Sequence, residues 1–101
     1  MIIYNVTVKV AKGIATPWLK WMKEEHMQDL INTGLFYDSR LCRLLEQDES
    51  EGPTYVGQYF CDSEEDYQDY LKQHADAMRE KGFKLWGDKV IAFRTLMQVE
   101  G

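Results

Sequence analysis

The side chains that could do chemistry in this 101-residue chain are two histidines, two cysteines, and a few arginines and amides set among apolar residues. His26 lies in TPWLKWMKEEHMQDLINTG, on the same side of a helical wheel as Leu19, Met22 and Leu30. Imidazole titrates nearest neutral pH, so His26 at the mouth of a cleft would be a candidate general base, with Tyr4 or Tyr59 nearby. The plainer reading is a neutral, partly buried ring bonded to backbone or tyrosine, and it applies equally to His74. Neither HxxxH nor HxH occurs, so no metal site is expected and no cofactor is implied. Haem would need an exposed axial histidine over a sheet, which neither stripe histidine offers. Cys42 and Cys61 form no CxxC and read as small buried hydrophobes. There is no phosphate loop, no GxSxG and no DNA-reading motif.

The elements that must position these residues follow from periodicity. Ile2 to Val10 alternates, with Ile2, Tyr4, Val6, Val8 and Val10 on one face and Ile3, Asn5, Thr7 and Lys9 on the other. Thr16 as N-cap and Pro17 at the first helical position open a helix that Gly34 stops. Trp21, Met27 and Ile31 fall outside its apolar stripe, so either that helix is covered on two sides or Trp21 marks an interface. A strand over 35–47 and another over 55–61 flank DESEGPT, the strongest turn signal in the chain. Ser63 caps a helix running to about Trp86 on the stripe Tyr67, Leu71, His74, Met78 and Leu85, with a possible break at Gly82. A last strand follows from Val90 to Val99. The order βαββαβ predicts one α+β ferredoxin-like domain over residues 1–101, a four-stranded antiparallel sheet with two helices on one face. The first and third strands should be central.

The uncovered face of that sheet carries the binding candidates. A hairpin with equal arms pairs Cys42 with Cys61, and giving that face to the helices leaves Leu41, Arg43, Leu45, Val56, Gln58 and Phe60 open. Ile91, Phe93 and Met97 read as core, which leaves Ala92, Arg94, Leu96 and Gln98 open. With Ile3, this makes an apolar patch larger than monomers usually expose, so the chain itself is the expected partner, in a homodimer joined through the open face. Asn5, Arg43, Gln58 and Arg94, with Trp21, are the candidate ligand-binding residues. A guanidinium cannot lose its charge, so in a closed interior it needs a carboxylate, carbonyls or a bound anion.

A net charge of −5 and the lack of a basic cluster speak against nucleic acid, and apolar runs of about four residues against a membrane span. Strand-like sequence from the first residues and two scattered cysteines point to a reducing cytoplasm. WMKEEH (21–26), DESEGPTY (48–55), QYF (58–60), WGDK (86–89) and AFR (92–94) together resemble a family of small bacterial proteins known only as a domain of unknown function. The resemblance spans nearly the whole chain and implies a ferredoxin-like fold of the dimeric α/β-barrel kind. It brings no activity and no catalytic residues. The expected role is a homodimer binding a small molecule, with an anion among the candidates. A cofactor-independent isomerase or monooxygenase using His26 is the alternative, and a ligand-free structural dimer a third.

Overall fold

Alternation along β1 (Ile2–Val10) organises the molecule, and the computed structural model, which describes residues 1–101, places that strand in the centre of the sheet. After β1 come α1 (Ala15–Trp21), a π-helical segment (Met22–His26), α2 (Met27–Asn32), β2 (Asp38–Arg43) and β3 (Thr54–Cys61). Then follow α3 (Glu64–Gln73), α4 (Ala75–Trp86) and β4 (Val90–Gln98). The sheet order is β2-β3-β1-β4 with every neighbouring pair antiparallel, the four-stranded ferredoxin-like α+β arrangement. Ile2, Tyr4, Val8 and Val10 are buried on the helix side. The Tyr4 ring sits within 5.2–6.0 Å of those of Phe36, Tyr59, Tyr67 and Tyr70, an aromatic core that ties the central strands to α3.

Two strands present the opposite face to the one their apolar pattern suggests. β4 pairs Val6 with Arg94 and Val8 with Ala92, so Ala92, Arg94 and Leu96 lie on the helix side. Ile91, Phe93 and Met97 point outward and are 58%, 65% and 38% exposed. Apolar residues stand at both parities of this edge strand, so hydrophobicity does not choose its face. The register is set at the strand entry, where the Ala11 N–H donates to the Lys89 carbonyl at 2.8 Å. In β2, Cys42 lies opposite Val56 rather than Cys61, which centres the hairpin on Glu49. Arg43 grips Glu49 there, across the loop. Gly52 and Pro53 instead lay the loop along the end of β1, where the Val10 N–H reaches the Pro53 carbonyl at 2.9 Å. The two free cysteines therefore sit on opposite faces, and Arg43 moves to the helix side.

The first helix also departs from a regular wheel. It starts at Ala15 after a short 3-10 turn (Lys12–Ile14) and has no side-chain cap, so Thr16 and Pro17 lie within its first turn. Pro17 still loses nothing there, since first-turn N–H groups have no partner inside the helix. At Met22–His26 the ladder widens, and the Met27 N–H donates to the Met22 carbonyl, five residues back. That extra residue rotates everything after it by about 100°. Met27 takes the inward place that His26 would hold, and the buried stripe becomes Trp18, Met22, Met27 and Leu30.

In the second helical stretch Ser63 caps α3 through the Asp66 N–H at 3.3 Å. The break comes at His74 (φ −132°, ψ −29°) and not at Gly82. Restarting at Ala75 turns Ala75, Met78, Gly82 and Trp86 inward and leaves Phe83 and Leu85 exposed. No helix is long and apolar enough to cross a membrane.

Candidate functional site

Between β1 and β4 on one side and the helices on the other lies a cavity of about 360 Å³, in the range of small-molecule sites. Its floor is small, with Val6, Val8 and Ala92 from adjacent strands. The helical layer packs on β3 at Trp18 and Tyr55, whose rings are 5.4 Å apart, and leaves the cavity over β1 and β4. All three tryptophans, Trp18, Trp21 and Trp86, line it.

The π-helical segment builds one wall. In a regular α-helix residues five apart diverge by about 140°, and their rings cannot meet. Here the widened turn stacks Trp21 on His26, with centroids 4.5 Å apart and planes 23° from parallel. Trp86 meets Trp21 edge-on at 5.8 Å, closing the wall from α4. Burial lowers the His26 pKa to about 4; Lys81 and Arg94 add to the fall, while Asp29 and Glu25 oppose it. The ring is therefore neutral near pH 7. Lys81 bridges Glu25 at 2.8 Å and Asp29 at 2.9 Å, tying α4 to the π-segment and α2 beside the cavity.

Two cations also line the cavity. Arg94 reaches the cavity from β4 and Arg79 from α4. Hydrogen bonding to the Tyr4 phenol raises the Arg79 pKa further, so this guanidinium is held as a cation. The ion pairs of the chain use Lys9, Arg43, Lys81 and Lys84, and neither Arg79 nor Arg94 joins one. Burial pushes the Tyr59 and Tyr70 phenols well above their ordinary value, so both remain neutral donors. No Asp or Glu lines the cavity, although the chain has 17.

Of the residues singled out from sequence, Trp21, His26 and Arg94 come together here. Asn5 and Gln58 do not. They lie on the open face, where Gln58 Nε2 donates to Asn5 Oδ1 at 3.2 Å and Asn5 faces Thr95 on β4. Arg43 sits at the end of an edge strand, spent on Glu49 and the Tyr55 ring. His74 packs on Tyr70 at 6.4 Å, outside the cavity lining. Arg79, Tyr70 and Trp86 were not among the sequence candidates. The stripe Ala75, Met78, Gly82, Trp86 has regular helical spacing, but glycine and alanine give it little apolar weight beside Leu71, His74, Met78 and Leu85. No group of three or more His, Cys, Asp or Glu comes together as a metal site would need.

Solved structures similar to this chain share its fold across nearly their full lengths at low identity. A dimeric ferredoxin-like protein from an uncultured marine organism gives a TM-score of 0.73 at 8% identity, covering 97% of this chain and 94% of its own. An ethyl tert-butyl ether d (ethd) family protein from Bacillus halodurans gives 0.67 at 13%, covering 99% and 100%. A protein from Arabidopsis thaliana gives 0.64 at 15%, covering 98% of both chains. No curated protein matches the sequence. A family model described as a domain of unknown function (DUF4286) matches residues 1–100.

Proposed function

This chain belongs to the DUF4286 family, a domain of unknown function, and we propose that it is a homodimeric binding protein for a small apolar anion with a carboxylate as its charged group. The observation that carries this reading is the polarity of the cavity. Two arginines without acidic partners line an aromatic space from which every carboxylate of an acidic chain is absent. Both guanidiniums are exposed and free of carboxylates, and a ligand carboxylate meets such a group with two parallel charge-assisted hydrogen bonds. The neutral phenols of Tyr59 and Tyr70 add donors, and the tryptophan rings hold the ligand's apolar body.

The experiment is a titration followed by intrinsic tryptophan fluorescence, which reports on the cavity because all three indoles line it. Para-isopropylbenzoate should bind at least about tenfold more tightly than para-isopropylbenzamide, since a hydrogen bond to a charged group is worth about 1.5–3 kcal/mol. Arg94→Gln should erase most of that preference. Equal binding of acid and amide, or none of either, would defeat the proposal.

The homodimer rests on the open face, where exposed Ile91, Phe93 and Met97 lie beside half-buried Ile3 and Val56. Burying it against a second copy across a two-fold axis is the economical arrangement.

A further inference from the structure

Three buried side-chain nitrogens lack any hydrogen-bond partner: Trp21 Nε1, His26 Nδ1 and Trp86 Nε1. They are not scattered. Trp21 stacks on His26 and meets Trp86 edge-on, and all three residues line the cavity. An indole N–H enclosed without an acceptor is rare in folded proteins, because its water is stripped and nothing replaces it. The cavity lining has no carboxylate, carboxamide or aliphatic hydroxyl to supply one. The phenol oxygens of the lining leave these nitrogens unpaired, and a turn of each ring toward the cavity would bring its nitrogen to an acceptor held there.

We propose that the cavity is bipolar: beyond the arginines that meet the carboxylate, Trp21, His26 and Trp86 form a second pole for an acceptor oxygen elsewhere on the same ligand. The ligand class is then an apolar, preferably aryl, carboxylic acid bearing a carbonyl. This rests on the reading of the cavity as an acid site. Rotation about χ1 and χ2 leaves the backbone in place, so the rings of Trp21, where α1 passes into the π-helical segment, and of Trp86, the last residue of α4, can turn their N–H groups toward the cavity. Gly87, at φ +57°, follows Trp86 directly and frees that end. The neutral imidazole completes the pole, its Nδ1 serving as donor or acceptor according to tautomer.

The test compares acetylbenzoate with isopropylbenzoate, in para and meta isomers, by fluorescence titration and by the indole signals in ¹H–¹⁵N spectra. The two substituents have nearly the same shape, and only acetyl carries the acceptor. In a cavity with one pole, acetyl buries a carbonyl without a partner and binds about tenfold or more weakly. With the second pole in place, at least one acetyl isomer should bind as tightly as its isopropyl counterpart or more so. The Trp21 and Trp86 indole protons should then move downfield with the acetyl acid and not with the isopropyl acid. Trp18, whose Nε1 is not among the unpartnered atoms, is the internal control. Acids that bind while both acetyl isomers are tenfold weaker, with Trp21 and Trp86 signals unmoved, overturn the second pole alone. Failure of every acid to bind overturns the acid site and this inference with it.

Discussion

His26 gives up its proton far more readily in the folded chain than a free imidazole does, and the consequence is a stability that depends on pH. Its folded pKa of about 4 lies below the unfolded value of about 6.5, so the unfolded chain binds the proton more tightly. The neutral ring's contribution is complete above about pH 6.5 and is lost as pH falls toward 4. At pH 4 the loss is at most about 3 kcal/mol. Urea denaturation of the protein and of His26→Gln should show the parent losing more stability than the variant across that window, and the ring proton should titrate by NMR near pH 4. Parallel pH profiles would show that His26 does not carry the effect. At Arg94 the expectation concerns binding: Arg94→Gln should weaken the acid probe while leaving the fold intact, because the side chain is exposed and makes no ion pair. Arg43→Gln should leave binding unchanged, since Arg43 lies away from the cavity.

Elements are positioned by two glycines of opposite character. Gly82 lies inside α4, and a Cβ there would meet only Trp21 Cη2, at an ordinary 3.6 Å. Gly82→Ala should therefore raise stability by about 0.5–1 kcal/mol through helix propensity, read as a higher thermal midpoint. Gly52 has φ +141°, and a Cβ would fall 1.8 Å from the Val10 carbonyl oxygen. Backbone must move to admit it, so Gly52→Ala should cost about 2 kcal/mol or more and loosen the loop from β1. A Gly52→Ala protein as stable as the parent would mean that the loop does not dock on the strand. The π-segment works at the same scale. One extra residue turns the wall so that Trp21 and His26 share it, a placement no regular helix could give them.

For the whole molecule the proposed assembly is tested at the open face. Phe93 is 65% exposed, so Phe93→Asp should leave a single copy folded, with little change in its own stability. In a dimer the same charge would be buried opposite apolar side chains, at a cost of several kcal/mol. Light scattering at micromolar concentration should give about twice the monomer mass for the parent and the monomer mass for the variant. A parent that stays monomeric removes the homodimer from the proposal.

The sequence by itself determined the element order, the central place of β1 and β3, the apolar face of β1, and Ser63 as the cap of α3. Each is local: alternation, capping chemistry and turn residues act within a few neighbours and leave a readable pattern. It also singled out Trp21, His26 and Arg94, the last of them for the open face. The tertiary structure alone decided the faces of β2 and β4, the widened turn at Met22–His26 and the break at His74. An edge strand apolar on both sides carries no preference that periodicity can read, and a single inserted residue in a helix leaves no signature until packing selects it. Arg94 reached the cavity through the phase of β4, and Trp86 through the restart at Ala75. The cavity proposed to bind an acid takes its lining from those two phases, set by contacts between residues far apart in the chain.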